Sequence, residues 1–194
     1  MLFTMVTLAV VPAICLHEYF HAQVALWCGD PTAAEQGHLT LNPIKQMGIM
    51  SIIMFLILGI AWGGVPVNPY NLTKRGRVLT AAAGPLMNFV LFVLAILTYP
   101  LLAIYTSAPP LLISYIFIIG IYNLILFLFN LLPVPGLDGW NILSQFVNLR
   151  KTSSELFKGI MVFLIFGMFM LFPKIYIFAA WVMEFPIRIL GGGK

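Results

Sequence analysis

Ile14-Cys15-Leu16-His17-Glu18-Tyr19-Phe20-His21-Ala22 lies inside an apolar run that extends from Leu2 to Trp27. As a helix, that run is long enough to cross about 30 Å of hydrocarbon. Gly29-Asp30-Pro31 ends it with turn-forming residues. A carboxylate in the middle of such a span costs roughly 2.5–3.5 kcal/mol on insertion scales, so Glu18 is there for function rather than packing. His17 and His21 stand four residues apart and project from one helix face, which lets two imidazole nitrogens reach one ion. Glu18 lies next to them, within reach of a water on that ion, in the place of a general base. Chance rarely produces this spacing in a chain with only three histidines.

The composition sets the solvent. Of 194 residues, 61% are hydrophobic and 8% charged, against about 25% charged in an ordinary soluble domain. The chain uses the lipid bilayer as solvent over most of its length, which makes it an all-α, multi-pass membrane protein. The expected organisation is a single domain, residues 1–194, with a core over 1–145 and a C-terminal helical hairpin at about 155–190. The net charge of +4 comes from clusters at Lys74, Arg75 and Arg77 and at Arg150, Lys151 and Lys158. These clusters fit the cytoplasmic bias of basic loops. No broad basic surface is interleaved with base-reading residues, so no nucleic-acid partner is expected. Cys15 and Cys28 read as free thiols. Met1–Val11 lacks the basic start and small-residue cleavage site of a signal peptide.

About five to six apolar segments follow from the hydropathy pattern. Met47–Val65 is uncharged but punctuated by Ser51, Gly59, Gly63 and Gly64, and could span or re-enter. Val65-Pro66-Val67-Asn68-Pro69 must be extended, because residues before proline avoid the helical region. Val78–Tyr105 and Leu111–Leu132 are spans. Phe157–Phe172 and Lys174–Leu190 read as a hairpin joined at Pro173. Gly37–Asn42 alternates weakly and suggests a short strand.

A zinc hydrolase wants three protein ligands and an open fourth position. A metzincin continuation needs glycine at 24 and histidine at 27, where this chain has Val24 and Trp27. Glu35 and His38 lie in the polar loop; either could be the third ligand, but polar loop residues are commonly solvated, and each reads first as one of those. Asp138 follows the broken backbone Pro133-Val134-Pro135-Gly136 at the edge of a span. Non-helical backbone at that depth is tolerated only where protein or a water-filled cavity covers it. Position alone leaves Asp138 equally a ligand or a helix cap.

Three blocks of the sequence resemble the site-2 protease family of intramembrane zinc metalloproteases. The first is His17–His21, followed by Gly29-Asp30-Pro31-Thr32-Ala33 and Leu39-Thr40-Leu41-Asn42-Pro43. The second is Pro66-Val67-Asn68-Pro69 with Ala83-Gly84-Pro85-Leu86-Met87-Asn88. The third, Asn130-Leu131-Leu132-Pro133 through Asp138-Gly139, matches N-x-x-P-x-x-x-x-D-G. Together they cover roughly residues 10–145. The resemblance implies that Asp138 is the third ligand, with His17 and His21, of one zinc ion. It implies cleavage of peptide bonds in or near transmembrane helices of protein or peptide substrates, with Glu18 as general base. Many relatives carry a PDZ module, for which this chain has no space, so it resembles the compact branch. The position of His38 is usually basic in the family, which counts against a metal role.

Asn88 shares a helix face with Gly84 and could bind substrate backbone, stabilise an oxyanion or bridge two helices. Asn130 is expected to support the broken segment before Asp138. For three ligands to meet one ion, the end of the first span and the end of Leu111–Leu132 must share one side, which makes Met47–Val65 re-entrant or interfacial. Lys45, Lys74, Arg75, Arg77, Arg150, Lys151 and Lys158 then share that side, cytoplasmic by the positive-inside rule. Two rival functions are a metal transporter and a catalytically inactive zinc-binding scaffold. A transporter has no need of a base beside its ligands, and would usually place carboxylates on several helices.

Overall fold

The computed structural model describes residues 1–147 and 154–191. Among them every regular element is a helix: α1 (Leu2–Trp27), α2 (Thr32–Glu35), α3 (Pro43–Gln46), α4 (Gly48–Leu58), α5 (Lys74–Tyr105), α6 (Pro110–Asn130), α7 (Asp138–Leu143) and α8 (Ser154–Gly191). Four segments are long and apolar enough to cross a membrane: Leu2–Trp27, Lys74–Tyr105, Pro110–Asn130 and Met170–Leu190. Leu94, Leu97 and Leu101 on α5 stay exposed, as side chains facing lipid would.

The helices α1, α5 and α6 form the framework. Helix α5 runs antiparallel to α1, pairing His21 with Thr80 and His17 with Asn88. It also runs antiparallel to α6, pairing Asn88 with Asn123 and Ala95 with Gly120. Helices α1 and α6 are therefore parallel, and Tyr115 Oη donates to Leu8 O at 3.0 Å near their N-terminal ends. Small residues of α1 (Ala13, Ala22 and Ala25) and of α5 (Ala81, Ala83 and Gly84) are buried, and Gly84 abuts His17 and His21 of α1. In lipid, where apolar burial gives little drive between helices, such residues permit the close approach that packing needs. A second cluster joins Phe92 and Ala95 of α5 and Ile121, Leu124 and Ile125 of α6 to Ala179 and Met183 of α8.

The apolar segments number fewer than expected, for two reasons. Residues 47–65 contain only α4, 11 residues long, or about 16 Å of helix, half of what a span needs. The chain then turns back extended. Trp62 N donates to Ser51 Oγ at 2.9 Å, Ser51 Oγ donates to Trp62 O at 2.6 Å, and Gly64 N donates to Gln46 O at 3.0 Å. The segment is thus re-entrant, leaving and returning to one end of the bundle. The expected C-terminal hairpin is not formed. Helix α8 runs through Pro173 and Pro186 as one element of 38 residues. A proline removes one backbone hydrogen bond and kinks a helix, yet transmembrane helices absorb that loss.

The strand expected at Gly37–Asn42 is also absent, and no strand occurs among the described residues. Buried Gln46 takes the place of a partner strand, its Nε2 donating to His38 O and Thr40 O. Lys45, Lys74, Arg75 and Arg77 lie on the elements at the end where α1 finishes and α5 starts. Arg150 and Lys151 lie outside the described residues.

Candidate active site and metal centre

The buried positions of α1 recur at helical spacing, and His17, Glu18 and His21 fall among them. The imidazoles face α5 roughly 9–15 Å from the C-terminal end of α1, at 1.5 Å rise per residue. Their space exists because residue 84 is glycine. A Cβ there would overlap His17 Nε2 and His21 Nε2. Pro85, next in sequence, cannot donate to Ala81 O, which loosens the helix beside Thr80. The Thr80 carbonyl accepts from His21 Nδ1 at 2.6 Å. Asn88 Oδ1, one turn along α5, accepts from His17 Nδ1 at 2.5 Å.

Asp138 reaches the histidines because the chain breaks after α6. Gly136 takes a left-handed φ of +96°, which only glycine adopts freely. Gly139 packs so tightly under the end of α6 that a Cβ would overlap Leu131 O and Leu132 O. This fold-back places Asp138 Oδ2 3.0 Å from His17 Nε2 and 3.2 Å from His21 Nε2, and the two Nε2 atoms are 3.0 Å apart.

These three side chains are the group among the described residues whose donor atoms could share a metal ion. The chemistry of the set fits zinc. With both Nδ1–H groups donating outward, both Nε2 atoms turn lone pairs toward each other and toward a carboxylate oxygen. Such an array repels itself unless a cation sits within it. Two imidazoles and one carboxylate are a hydrolytic zinc donor set that leaves a fourth position open, and the outward Nδ1 bonds orient the rings as ligating histidines require.

Glu18 is buried beside this group. The returning segment passes over it so closely that a Cβ on Gly63 would overlap Glu18 Cγ, Cδ and Oε1. The carboxylate is thus bounded by α1 on one side and bare backbone on the other. Near the same segment, a cavity of about 280 Å³ is lined by Lys45, Gln46, Met47, Gly48, Trp62, Gly63 and Gly64.

Of the residues singled out in the sequence, His17, His21 and Asp138 are brought together, and Glu18 lies beside them. Asn88 bridges helices, touching His17 on α1 and Asn123 on α6. Asn130 does not join the site; its Nδ2 donates to Leu126 O on its own helix at 3.0 Å. Glu35 and His38 stand outside the donor group. Cys15 and Cys28 are free thiols.

Three features escaped the sequence. The Thr80 carbonyl carried no signal, since every residue has one. Gly63 was visible only as part of a glycine pair. Asp30 read as a turn residue, yet it is fully buried and gathers donors from both ends of the excursion between α1 and α5. It accepts from Thr32 N at 3.2 Å, Thr32 Oγ1 at 2.6 Å, Asn68 N at 2.7 Å and Asn71 Nδ2 at 2.9 Å. Burial pushes the Asp30 carboxyl up, but these bonds prevail and hold it below the usual carboxylate range.

Comparison with known proteins agrees with this geometry. Peptidase family M50 matches residues 101–172. A provisionally named zinc metalloprotease of Bacillus subtilis (strain 168), YwhC, is 36% identical over 189 residues, covering 87% of this chain and 84% of the relative. Two Rip2 proteins carry the same provisional description. That of Mycolicibacterium smegmatis is 35% identical over 144 residues, 70% of this chain and 54% of its own length. That of Mycobacterium tuberculosis (strain H37Rv) is 32% identical over 145 residues, 71% of this chain and 55% of its own length. The match thus covers 84% of YwhC but little more than half of the Rip2 proteins. No solved structure matches it. A zinc-type donor set among helices long enough to cross a membrane, joined to this likeness, makes the chain a multi-pass member of peptidase family M50, the site-2 protease family of zinc metalloproteases.

Proposed function

We propose that the chain is an intramembrane endopeptidase that hydrolyses peptide bonds in or near the transmembrane helices of membrane-protein or peptide substrates. The observation that carries the reading is the convergence of His17 Nε2, His21 Nε2 and Asp138 Oδ2 beside Glu18, within a bundle of span-length helices. In this reading His17, His21 and Asp138 hold one zinc ion, and residues 1–145 form the protease core. Held by those three side chains, the ion would supply Lewis acidity to the scissile carbonyl and to the attacking water. Glu18 takes the proton from that water and returns it to the leaving amine. Asn88 and Thr80 keep the two imidazoles in the orientation that ligation needs. Gly63 holds the Glu18 carboxylate in place by bare backbone contact.

A substrate helix must unwind to expose its carbonyls. Residues 60–68, which carry no helix and bring Gly63 against Glu18, are the natural place for it to lie. Lys45, Lys74, Arg75 and Arg77 at the site's end of the bundle support a cytoplasmic orientation of that end in the cell membrane.

The deciding experiment is Glu18→Gln in the full chain, reconstituted with a membrane substrate. Zinc content should stay at the wild-type level, and cleavage should fall by about 10²–10⁴-fold, the usual worth of a general base. Undiminished cleavage would overturn the mechanism, and a wild-type protein that holds zinc yet cleaves nothing would favour a scaffold. Asp138→Ala should lose zinc by elemental analysis; full occupancy would return attention to Glu35 and His38.

A further inference from the structure

Asn123 lies in the middle of α6, 1% exposed, and has no part in the mechanism above. Its side chain is a link in a hydrogen-bonded chain across three helices. Asn123 Nδ2 donates to Ile119 O, one turn back, at 2.9 Å. Asn123 Oδ1 accepts from Asn88 Nδ2 at 3.0 Å. Asn88 Nδ2 also faces Ala13 O on α1 at 3.5 Å, and Asn88 Oδ1 faces His17 Nδ1.

The two ends of a side-chain amide have nearly the same shape, so its orientation must come from a neighbour that can only donate or only accept. Backbone carbonyls only accept. Ile119 O draws the nitrogen of Asn123 to its side and leaves the oxygen pointing at Asn88. That oxygen and Ala13 O both call for the nitrogen of Asn88. The oxygen of Asn88 is then left for His17, where it can only accept. His17 must therefore carry its proton on Nδ1, and its Nε2 lone pair faces His21 and Asp138.

We propose that Asn123 is a positioning residue for the metal centre: through Asn88 it fixes which ring nitrogen of His17 is free to bind the ion. The inference rests on His17, His21 and Asp138 being the zinc ligands. At 3.5 Å, Ala13 O is at the limit of hydrogen bonding and holds Asn88 weakly. Without the Asn123 acceptor, Asn88 can turn its N–H toward His17. That reversed amide favours the tautomer whose proton occupies the zinc-binding nitrogen.

The test measures zinc affinity by chelator competition on the purified full chain. Asn123→Leu keeps approximate volume but removes the acceptor, and should weaken zinc binding about 10–100-fold, the usual cost of removing an outer partner of a ligand. Asn123→Asp offers Asn88 an acceptor in either protonation state and should bind within about threefold of wild type, a rescue that a space-filling role would not predict. The double variant Asn88→Leu/Asn123→Leu should bind no more weakly than Asn88→Leu alone, because both changes cut one chain. His17→Ala is the control for the underlying reading: if it binds zinc like wild type, the ligand assignment fails and this inference fails with it. If His17→Ala loses zinc while Asn123→Leu keeps wild-type affinity, or the double variant shows additive losses, only the role of Asn123 is overturned. Where Asn123→Leu cannot be recovered folded, Asn123→Asp decides alone: a loss as large as that of Asn88→Leu overturns the proposal, and retained affinity supports it.

Discussion

The helical framework and the excursion over residues 28–73 hold their parts of the site in different ways. In the framework, each group is set by backbone: glycine at 84 makes room, the Thr80 carbonyl holds one imidazole, and carbonyls of α1 and α6 fix the polarity of the amide holding the other. In the excursion, the chain between short helices is held by a few polar side chains: Gln46 and Ser51 bond backbone 6 to 11 residues away, and Asp30 bonds the backbone of Asn68, 38 residues on. The first arrangement suits ligands that must keep one geometry. The second leaves the stretch without regular structure, residues 60–68, as the part of the excursion that an extended substrate would meet under the proposed function.

The comparison can be broken at graded cost. The largest effect is expected from Gly84→Ala, whose methyl overlaps His17 Nε2 and His21 Nε2. Zinc content and cleavage should fall together, each by at least about 100-fold, the upper end of outer-partner losses. Next comes Gly63→Ala, whose methyl presses first on Glu18. Cleavage should drop by about 10²-fold, the cost of a misplacement near 1 Å, with zinc content unchanged. Equal loss of zinc in the two variants would erase the distinction between framework and excursion.

Asp30→Ala should act on stability before chemistry. It strands the donors of Thr32, Asn68 and Asn71 and should cost about 1–3 kcal/mol, read as a lower melting temperature of the purified protein. The pH dependence follows from its depressed carboxyl. The contribution of Asp30 is fully present above the unfolded carboxylate value of about 4 and is lost as pH falls through the lower native value. Asp30→Asn should therefore flatten the acid limb of the stability profile; an unchanged limb would show that other carboxylates set it. The smallest effect is expected from Ser51→Ala, which removes both bonds to Trp62. About 1 kcal/mol of local stability should go, seen as faster amide exchange over residues 60–65, with zinc content unchanged.

The helices that carry the ligands were legible because lipid imposes a long, simple hydropathy signal and because the ligand motif has a fixed helical spacing. Asp138 was legible only as a broken segment at the edge of a span, and the family resemblance turned it into a ligand candidate. What stayed hidden depended on contacts between distant segments. The continuity of α8 through Pro173 is set by the surroundings of that proline, not by its identity. The supposed strand at Gly37–Asn42 had a plausible local pattern, but its carbonyls went to Gln46. Asp30 looked like any turn aspartate because its partners Asn68 and Asn71 arrive some forty residues later.

The ties at Asp30 carry a consequence for how such a chain can diversify. They join residue 30 to residues 68 and 71 and so close the intervening chain into a ring at its base. Closing a ring costs only about 0.6 kcal/mol more for each doubling of its length. The ring is not free of the helices it springs from: Met47 and Phe55 pack on Val10, Ile14 and Cys15 of α1, and Gly63 lies against Glu18. It is in effect a cassette pinned at those three points, and the stretches between the pins should accept insertions and exchanges, at little entropic cost, without moving α1 or α5.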